Sequence, residues 1–351
     1  MSTDHTYGYD RIIGVIDIGS NSAKCLIASL SIAPTARYIV RYEDCQVSGL
    51  ASGMVALGDF QEESVEATKR ALLDFYRAGE VAAVSSWRVV GTAAFRYVTR
   101  SQPPGPQASE LIQFVDHQFG CSLEIITGEE EARYCYLGVF SQSDRSSAST
   151  ASLPDEAIVI DIGGASTEFI HADASQQIDR LSLPIGVIHL CDQYVSSDPI
   201  AAETVAEIRS AIRRHMTVVR GHFSRVFGEQ GPCCIVYGAS GTMTTTATLL
   251  SGSDYYRAAD IHGYPIRQHT IECLLHQVLP LTLAEREDLV GMLPVARAKA
   301  MHVGLLFLSE MMSCLNISEI SVSHFGLRYG ILAEIIATER NCKKNTGWIA
   351  P

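Results

Sequence analysis

Apolar residues dominate Ile12 to Ile18, stop at Gly19-Ser20-Asn21-Ser22 and resume from Cys25 to Leu30. So short a gap predicts strand, tight turn, strand. Another strand is expected around Tyr38 to Glu43. From Glu62 to Ala78 the spacing becomes helical: Val65, Leu72, Phe75 and Tyr76 share one side, and Gly79 suits the position just past the end. Trp87 to Val90 reads as a short buried strand and Ser109 to Phe119 as a helix closed by Gly120. Leu123 to Ile126 reads as a strand, and Glu129 to Phe140 as a helix after the break at Gly128. Ser141 to Glu156 is polar, Ser-rich and loop-like.

Ala157 to Ile162 starts the pattern again as a strand. Asp198-Pro199 predicts a helix start, with Asp as N-cap and Pro at the first helical position, running to about Phe227. A strand is expected over Cys233 to Tyr237 and a helix over Thr242 to Leu250. A long apolar helix follows from Pro294 to about Leu315, then a strand from Glu319 to Ser323 and a helix from Leu327 to Thr338. Asn341 to Pro351 lacks periodicity and reads as a loose tail.

Two of these strand–turn–strand units match. Ile16-Asp17-Ile18-Gly19-Ser20-Asn21-Ser22 recurs as Ile160-Asp161-Ile162-Gly163-Gly164-Ala165-Ser166, 144 residues later, with five of seven positions identical. A repeat at domain-sized spacing predicts a duplicated fold. Its turn chemistry suits phosphate: glycine lets the backbone approach a ligand closely, and successive N–H groups form an anion-binding nest. Ser and Asn side chains add donors, and an Asp ending the strand can hold a divalent cation directly or through water. Two such turns facing each other would clamp a phosphate chain across a cleft. A dinucleotide fingerprint needs a helix after its glycines, and a Walker loop needs G-K-[ST]; neither is present.

Composition narrows the reading. The 351 residues predict two domains or one large one, and 47% hydrophobic with 19% charged residues excludes a wholly disordered chain. A net charge of -12 argues against general nucleic-acid or anionic-membrane binding, yet leaves room for an anionic substrate in a locally positive cleft. The ten cysteines form no C-x-x-C pair and read as reduced core residues of a cytoplasmic protein. Neither a signal peptide nor a membrane-spanning run is expected.

Seven blocks then carry a resemblance: GVIDIGSNSAKCLI, VVGTAAFR, IITGEEEARYCYLGV, VIDIGGASTEFI, LSLPIGVIHL, VYGASGTMTTTATLL and SVSHFGLRYGIL. In this order, from about Ile12 to Glu334, they resemble the exopolyphosphatase/guanosine pentaphosphate phosphatase family of the actin/hexokinase/Hsp70 ATPase superfamily. The chain is too short for the added helical phosphohydrolase-like region of many relatives and resembles the short, two-domain members.

The resemblance implies an α/β fold of two actin-like (ribonuclease H-like) domains, each a mixed sheet with flanking helices, over residues 10–128 and 129–340, with the active site between them. It implies hydrolysis of the terminal phosphoanhydride of inorganic polyphosphate, releasing orthophosphate. Guanosine pentaphosphate 5′-phosphatase activity, or a non-hydrolysing polyphosphate or alarmone sensor, are the alternatives. Mg²⁺ or Mn²⁺ would be held by Asp17 and Asp161. Glu131, before Ala132-Arg133, would be the base that activates water, with neighbouring Glu130 as the alternative and Glu168 as a second catalytic carboxylate. Phosphate would be bound by Gly19, Ser20, Asn21, Ser22, Gly163, Gly164, Ala165 and Ser166, by Arg96, and by the Gly238, Ser240, Gly241 turn. Ala165 stands where the family usually has glycine and is tolerable if its φ is negative. Arg209, Arg213, Arg214 and Arg220 on one helix, together with Arg133, offer a track for a long polyanion, and His171 is the histidine to test. A homodimer is left open.

Overall fold

The computed structural model describes residues 11–30, 38–100, 103–140, 156–173, 175, 177–252, 258–291 and 295–345. The expected Ser141–Glu156 loop lies outside them except for Glu156, as do Pro294 and the last six residues.

The strands are β1 (Arg11–Ile18), β2 (Ser22–Leu30), β3 (Tyr38–Val47), β4 (Ser86–Gly91), β5 (Glu124–Ile125), β6 (Ala157–Ile162), β7 (Thr167–Ala172), β8 (Ile178–Leu183), β9 (Phe227–Gly228), β10 (Gly231–Pro232), β11 (Ile235–Gly238), β12 (Pro265–Arg267) and β13 (Glu319–Val322). One mixed sheet has the order β3-β2-β1-β4-β5 and the second β12-β13-β11-β6-β7-β8. In the first, β1–β2 and β2–β3 are antiparallel while β1–β4 and β4–β5 are parallel. The second repeats this: β6–β7 and β7–β8 are antiparallel, β6–β11 and β11–β13 parallel. The 144-residue sequence repeat is therefore a repeat of topology, and β1 and β6 are the equivalent central strands. Both are almost wholly buried, as expected of strands covered on two faces.

Three apolar clusters hold the molecule. One packs the helices Glu62–Ala82 and Pro106–Phe119 on the first sheet, and another packs Ala202–His222 and Val295–Leu315 on the second. The third joins the two halves, combining Ile13, Val15 and Leu26 with Val159 and Ile170 through the helices Gly128–Phe140 and Leu327–Asn345. Those two helices cross closely. A Cβ on Gly330 would sit 1.8 Å from the Tyr134 carbonyl oxygen, and one on Gly138 2.0 Å from that of Gly326. The glycines thus set how near the two backbones come, and with that the position of the helix carrying Glu131.

Several boundaries depart from expectation for legible reasons. The helix expected to stop at Gly79 continues to Ala82; the Trp87 ring fills the space a Cβ on Gly79 would need, 2.1 Å away. Gly79 is there for packing, and Ala83, at φ 59°, closes the helix. Asp198-Pro199 does not start a helix. Asp198 accepts a hydrogen bond from Arg286 Nη2 at 2.7 Å, and the helix runs from Ala202 to His222. The last helix extends beyond Thr338 to Asn345.

Candidate active site

The two Gly turns end β1 and β6 with the same local geometry. The Gly19 N–H donates to the Ser22 carbonyl at 3.0 Å and the Gly163 N–H to that of Ser166 at 2.9 Å. They face each other: a Cβ on Gly164 would lie 3.1 Å from Ser20 Cβ and 3.6 Å from Asn21 Cβ. Ala165 is not among the described non-glycine residues with positive φ, so its methyl costs no backbone strain.

Between the sheets lies a cavity of about 560 Å³, lined by both turns (Gly19, Ser20, Asn21 and Ser22; Gly163, Gly164, Ala165 and Ser166) and by Asp17, Asp161 and Glu131. Ser240 and Gly241 line it at the start of the helix Gly241–Leu250, with Ser240 Oγ accepting from the Met243 N–H. Gly238 lies behind, where a Cβ would meet Met243 Sδ at 2.7 Å, so its absent side chain serves packing.

The acidic helix start sorts its three carboxylates into three roles. Glu129 pairs with Arg180 at 2.7 Å. Glu130 closes a capping box: its Oε2 accepts from the Thr127 N–H at 2.8 Å, and Thr127 Oγ1 accepts from the Glu130 N–H at 3.1 Å. The bond from the Thr127 N–H holds the Glu130 pKa down, and Glu130 does not line the cavity. Glu131 does. Burial pushes its pKa up to about 7; Arg96 opposes the rise, while Asp161 and Asp17 add to it. A carboxylate poised there is suited to take a proton from water.

Arg96, expected on phosphate, is engaged by protein groups in this structure. Its Nη1 donates to Glu131 Oε2 at 2.7 Å and to the Ile126 carbonyl at 3.0 Å, and it is not on the cavity wall. Glu168 is 1% exposed and also stands behind the wall; Ser182 Oγ donates to its Oε1 at 3.0 Å. Burial and then the charges of Glu131 and Asp161 raise its pKa well above the usual range.

Asp17 is buried and Asp161 half-buried at the cavity, and desolvation raises the pKa of each. Asp17 pairs in register with Lys24 across β1 and β2, and Asp161 with Glu168 across β6 and β7. Lys24 and Glu168 are themselves 144 residues apart, so the duplicated position holds a cation in one half and an acid in the other. Lys24 Nζ lies 3.7 Å from Asp17 Oδ2. Burial works against its charge, but Asp17, Cys45 and Asp161 hold its pKa above the ordinary value.

Sequence reasoning did not single out Lys24, Arg297 or Arg328, the cations that line the cavity. The repeat offset would have flagged Lys24 as the counterpart of Glu168. Arg328, which donates to Glu43 Oε1 at 2.7 Å, and Arg297, whose Nη2 lies 3.5 Å from Cys45 Sγ, carry no local signal; only the fold brings them in. None of the arginines of the expected track lines the cavity. Arg209 and Arg213 are both hydrogen-bonded to buried Glu310, and Arg214 Nη1 donates to Ser210. Arg133 bonds Glu334 away from the cavity, and His171 pairs with Glu156 at 2.9 Å.

The model of the Ppx/GppA phosphatase family matches residues 34–339. A guanosine-5'-triphosphate,3'-diphosphate pyrophosphatase of Pseudoalteromonas atlantica is 27% identical over 324 residues, 92% of this chain but 58% of that protein's length. Exopolyphosphatase 2 of Mycobacterium tuberculosis is 25% identical over 329 residues, covering 91% of this chain and 97% of that one. In fold, the chain is similar to an exopolyphosphatase from Cytophaga hutchinsonii (TM-score 0.76, 23% identity, 93% and 98% covered). It is also similar to the Aquifex aeolicus family member (TM-score 0.71, 24% identity, 94% and 98% covered). The architecture is the expected two-domain actin-like one, and the chain belongs to the Ppx/GppA phosphatase family.

Proposed function

We propose that this chain is an exopolyphosphatase that removes the terminal phosphate of inorganic polyphosphate as orthophosphate, working in the cytoplasm. The observation that carries the reading is the pair of facing Gly turns with Glu131 on the wall of the same cavity. Ser20, Asn21, Ser22 and Ser166 with the turn N–H groups would bind phosphate oxygens. Glu131, oriented by Arg96, would take the proton from the attacking water. Lys24, Arg297 and Arg328 would offset substrate charge. The nine described cysteines, all free thiols, suit a reducing compartment. Among the described residues no helix is long and apolar enough to cross a membrane.

The donor set fits Mg²⁺ or Mn²⁺. Asp17 Oδ1 is buried with no hydrogen-bond partner, and burial, then the charges of Asp161 and Asp17, raise the pKa of Glu131 on the same cavity wall. No group of three or more metal-binding side chains is found among the described residues, which suits an ion held by one or two carboxylates, water and substrate phosphate. Bound at Asp17 and Asp161, it would neutralise and align the terminal phosphate.

The rival reading, a guanosine pentaphosphate 5′-phosphatase, is favoured by the name of the Pseudoalteromonas atlantica relative. Phosphate release should be measured side by side from long polyphosphate, tripolyphosphate, guanosine pentaphosphate and ATP. The proposal expects the highest kcat/KM on a polyphosphate. A clearly higher value on guanosine pentaphosphate selects the rival, and release from none of the four refutes both.

A further inference from the structure

We propose that Cys135 is a positioning residue for Asp161, its thiol holding the carboxylate in the orientation that meets a divalent cation; this rests on the metal reading above. Cys135 Sγ donates to Asp161 Oδ2 at 3.2 Å, and Cys135 is fully buried. The placement follows from the helix Gly128–Phe140. Glu131 and Cys135 are four residues apart, so they share a face one turn apart. The first side chain reaches the cavity wall and the second reaches Asp161. A thiol carries its proton at neutral pH and an ionised carboxylate can only accept, so the 3.2 Å contact runs from sulfur to Asp161.

The repeat supplies an internal contrast. Asp17 has no such donor; its Oδ2 faces Lys24 Nζ and its Oδ1 is unpartnered. The two halves therefore restrain equivalent carboxylates by different means. A thiol is a weak donor, but a charged acceptor in a dry site strengthens the bond.

The test is Mn²⁺ binding to the metal-free protein, followed by electron paramagnetic resonance of the free ion, for the parent, Cys135→Val and Cys135→Ser. Removing a hydrogen-bond partner of a metal-binding side chain typically weakens metal affinity about 10–100-fold, and a thiol belongs at the low end. Cys135→Val is expected to raise Kd about tenfold, while Cys135→Ser, which keeps a donor, stays within about threefold of the parent. A packing role predicts the opposite order, because Val fills the apolar site and Ser does not. Val binding as the parent does, or Ser binding as weakly as Val, overturns the proposal. Should Val fail to fold, Cys135→Ala removes the donor without adding bulk, and unchanged affinity there is equally fatal. A parent that takes up no Mn²⁺, either alone or with inorganic phosphate present, refutes the metal reading itself, and the role of Cys135 with it.

Discussion

Glu131→Gln is the most informative perturbation because it should change activity and stability in opposite directions. A carboxyl moved from its ordinary 4.5 to about 7 is disfavoured in its ionised form by on the order of 3 kcal/mol, at about 1.4 kcal/mol per pH unit. Below the unfolded value of 4.5 the group is neutral in both states and costs nothing. As pH rises toward 7 the unfolded chain ionises first, and stability is lost. Gln carries no charge and escapes that loss, while still offering Arg96 an oxygen. After allowance for the weaker bond to Arg96, the variant should gain about 1–2 kcal/mol at about pH 8 and nothing near pH 4. Turnover should fall by at least about 10²-fold, the low end for a lost general base. In the parent, kcat/KM should rise about tenfold per pH unit up to about pH 7 and then level; in the variant that acid limb should vanish. Phosphate release from polyphosphate across this pH range, with urea unfolding at both ends, measures all three. A folded variant that keeps turnover within about tenfold, or keeps the acid limb, refutes Glu131 as the base and transfers the role to Glu168.

Glu130→Ala should cost about 1 kcal/mol in urea unfolding through the lost cap while turnover stays near that of the parent; a large loss of activity would return the base to Glu130. Arg96→Gln removes the positive charge that holds the Glu131 pKa down, so the acid limb should move to higher pH and kcat should fall more than KM changes. A profile that does not move would show that Arg96 acts on substrate instead. Asp17→Asn and Asp161→Asn should each raise the Mg²⁺ concentration needed for half-activity; titrations unchanged in both would remove the metal from these residues. Arg213→Glu sets a second acid against buried Glu310, so the unfolding midpoint should drop while long-polyphosphate turnover is maintained; selective loss on long chains would restore the arginine track.

The sequence by itself determined the duplicated strand–turn–strand units, the apolar central strands and the acidic helix start. Each is a local pattern: alternation, a Gly turn after Asp, carboxylates where a helix dipole favours them. Local patterns survive folding because backbone geometry within a few residues dictates them. The repeat predicted a duplicated fold, since two like units need like sheets, and the fold class itself came with the resemblance carried by the seven blocks. What the tertiary structure alone decided is which polar group meets which. Glu130 and Glu131 are adjacent in sequence, yet helical rotation puts one into a cap and the other on a cavity wall. That Arg96 bonds Glu131 is visible only once the two are seen 2.7 Å apart. Arg297 and Arg328 enter the site from the far end of the chain, and Cys135 reaches Asp161 only because its helix packs against β6. A side chain's partner is set by long-range packing, which leaves no periodic trace. The sequence therefore shows where phosphate chemistry is housed, and only the packed structure assigns the proton, the charges and the supports.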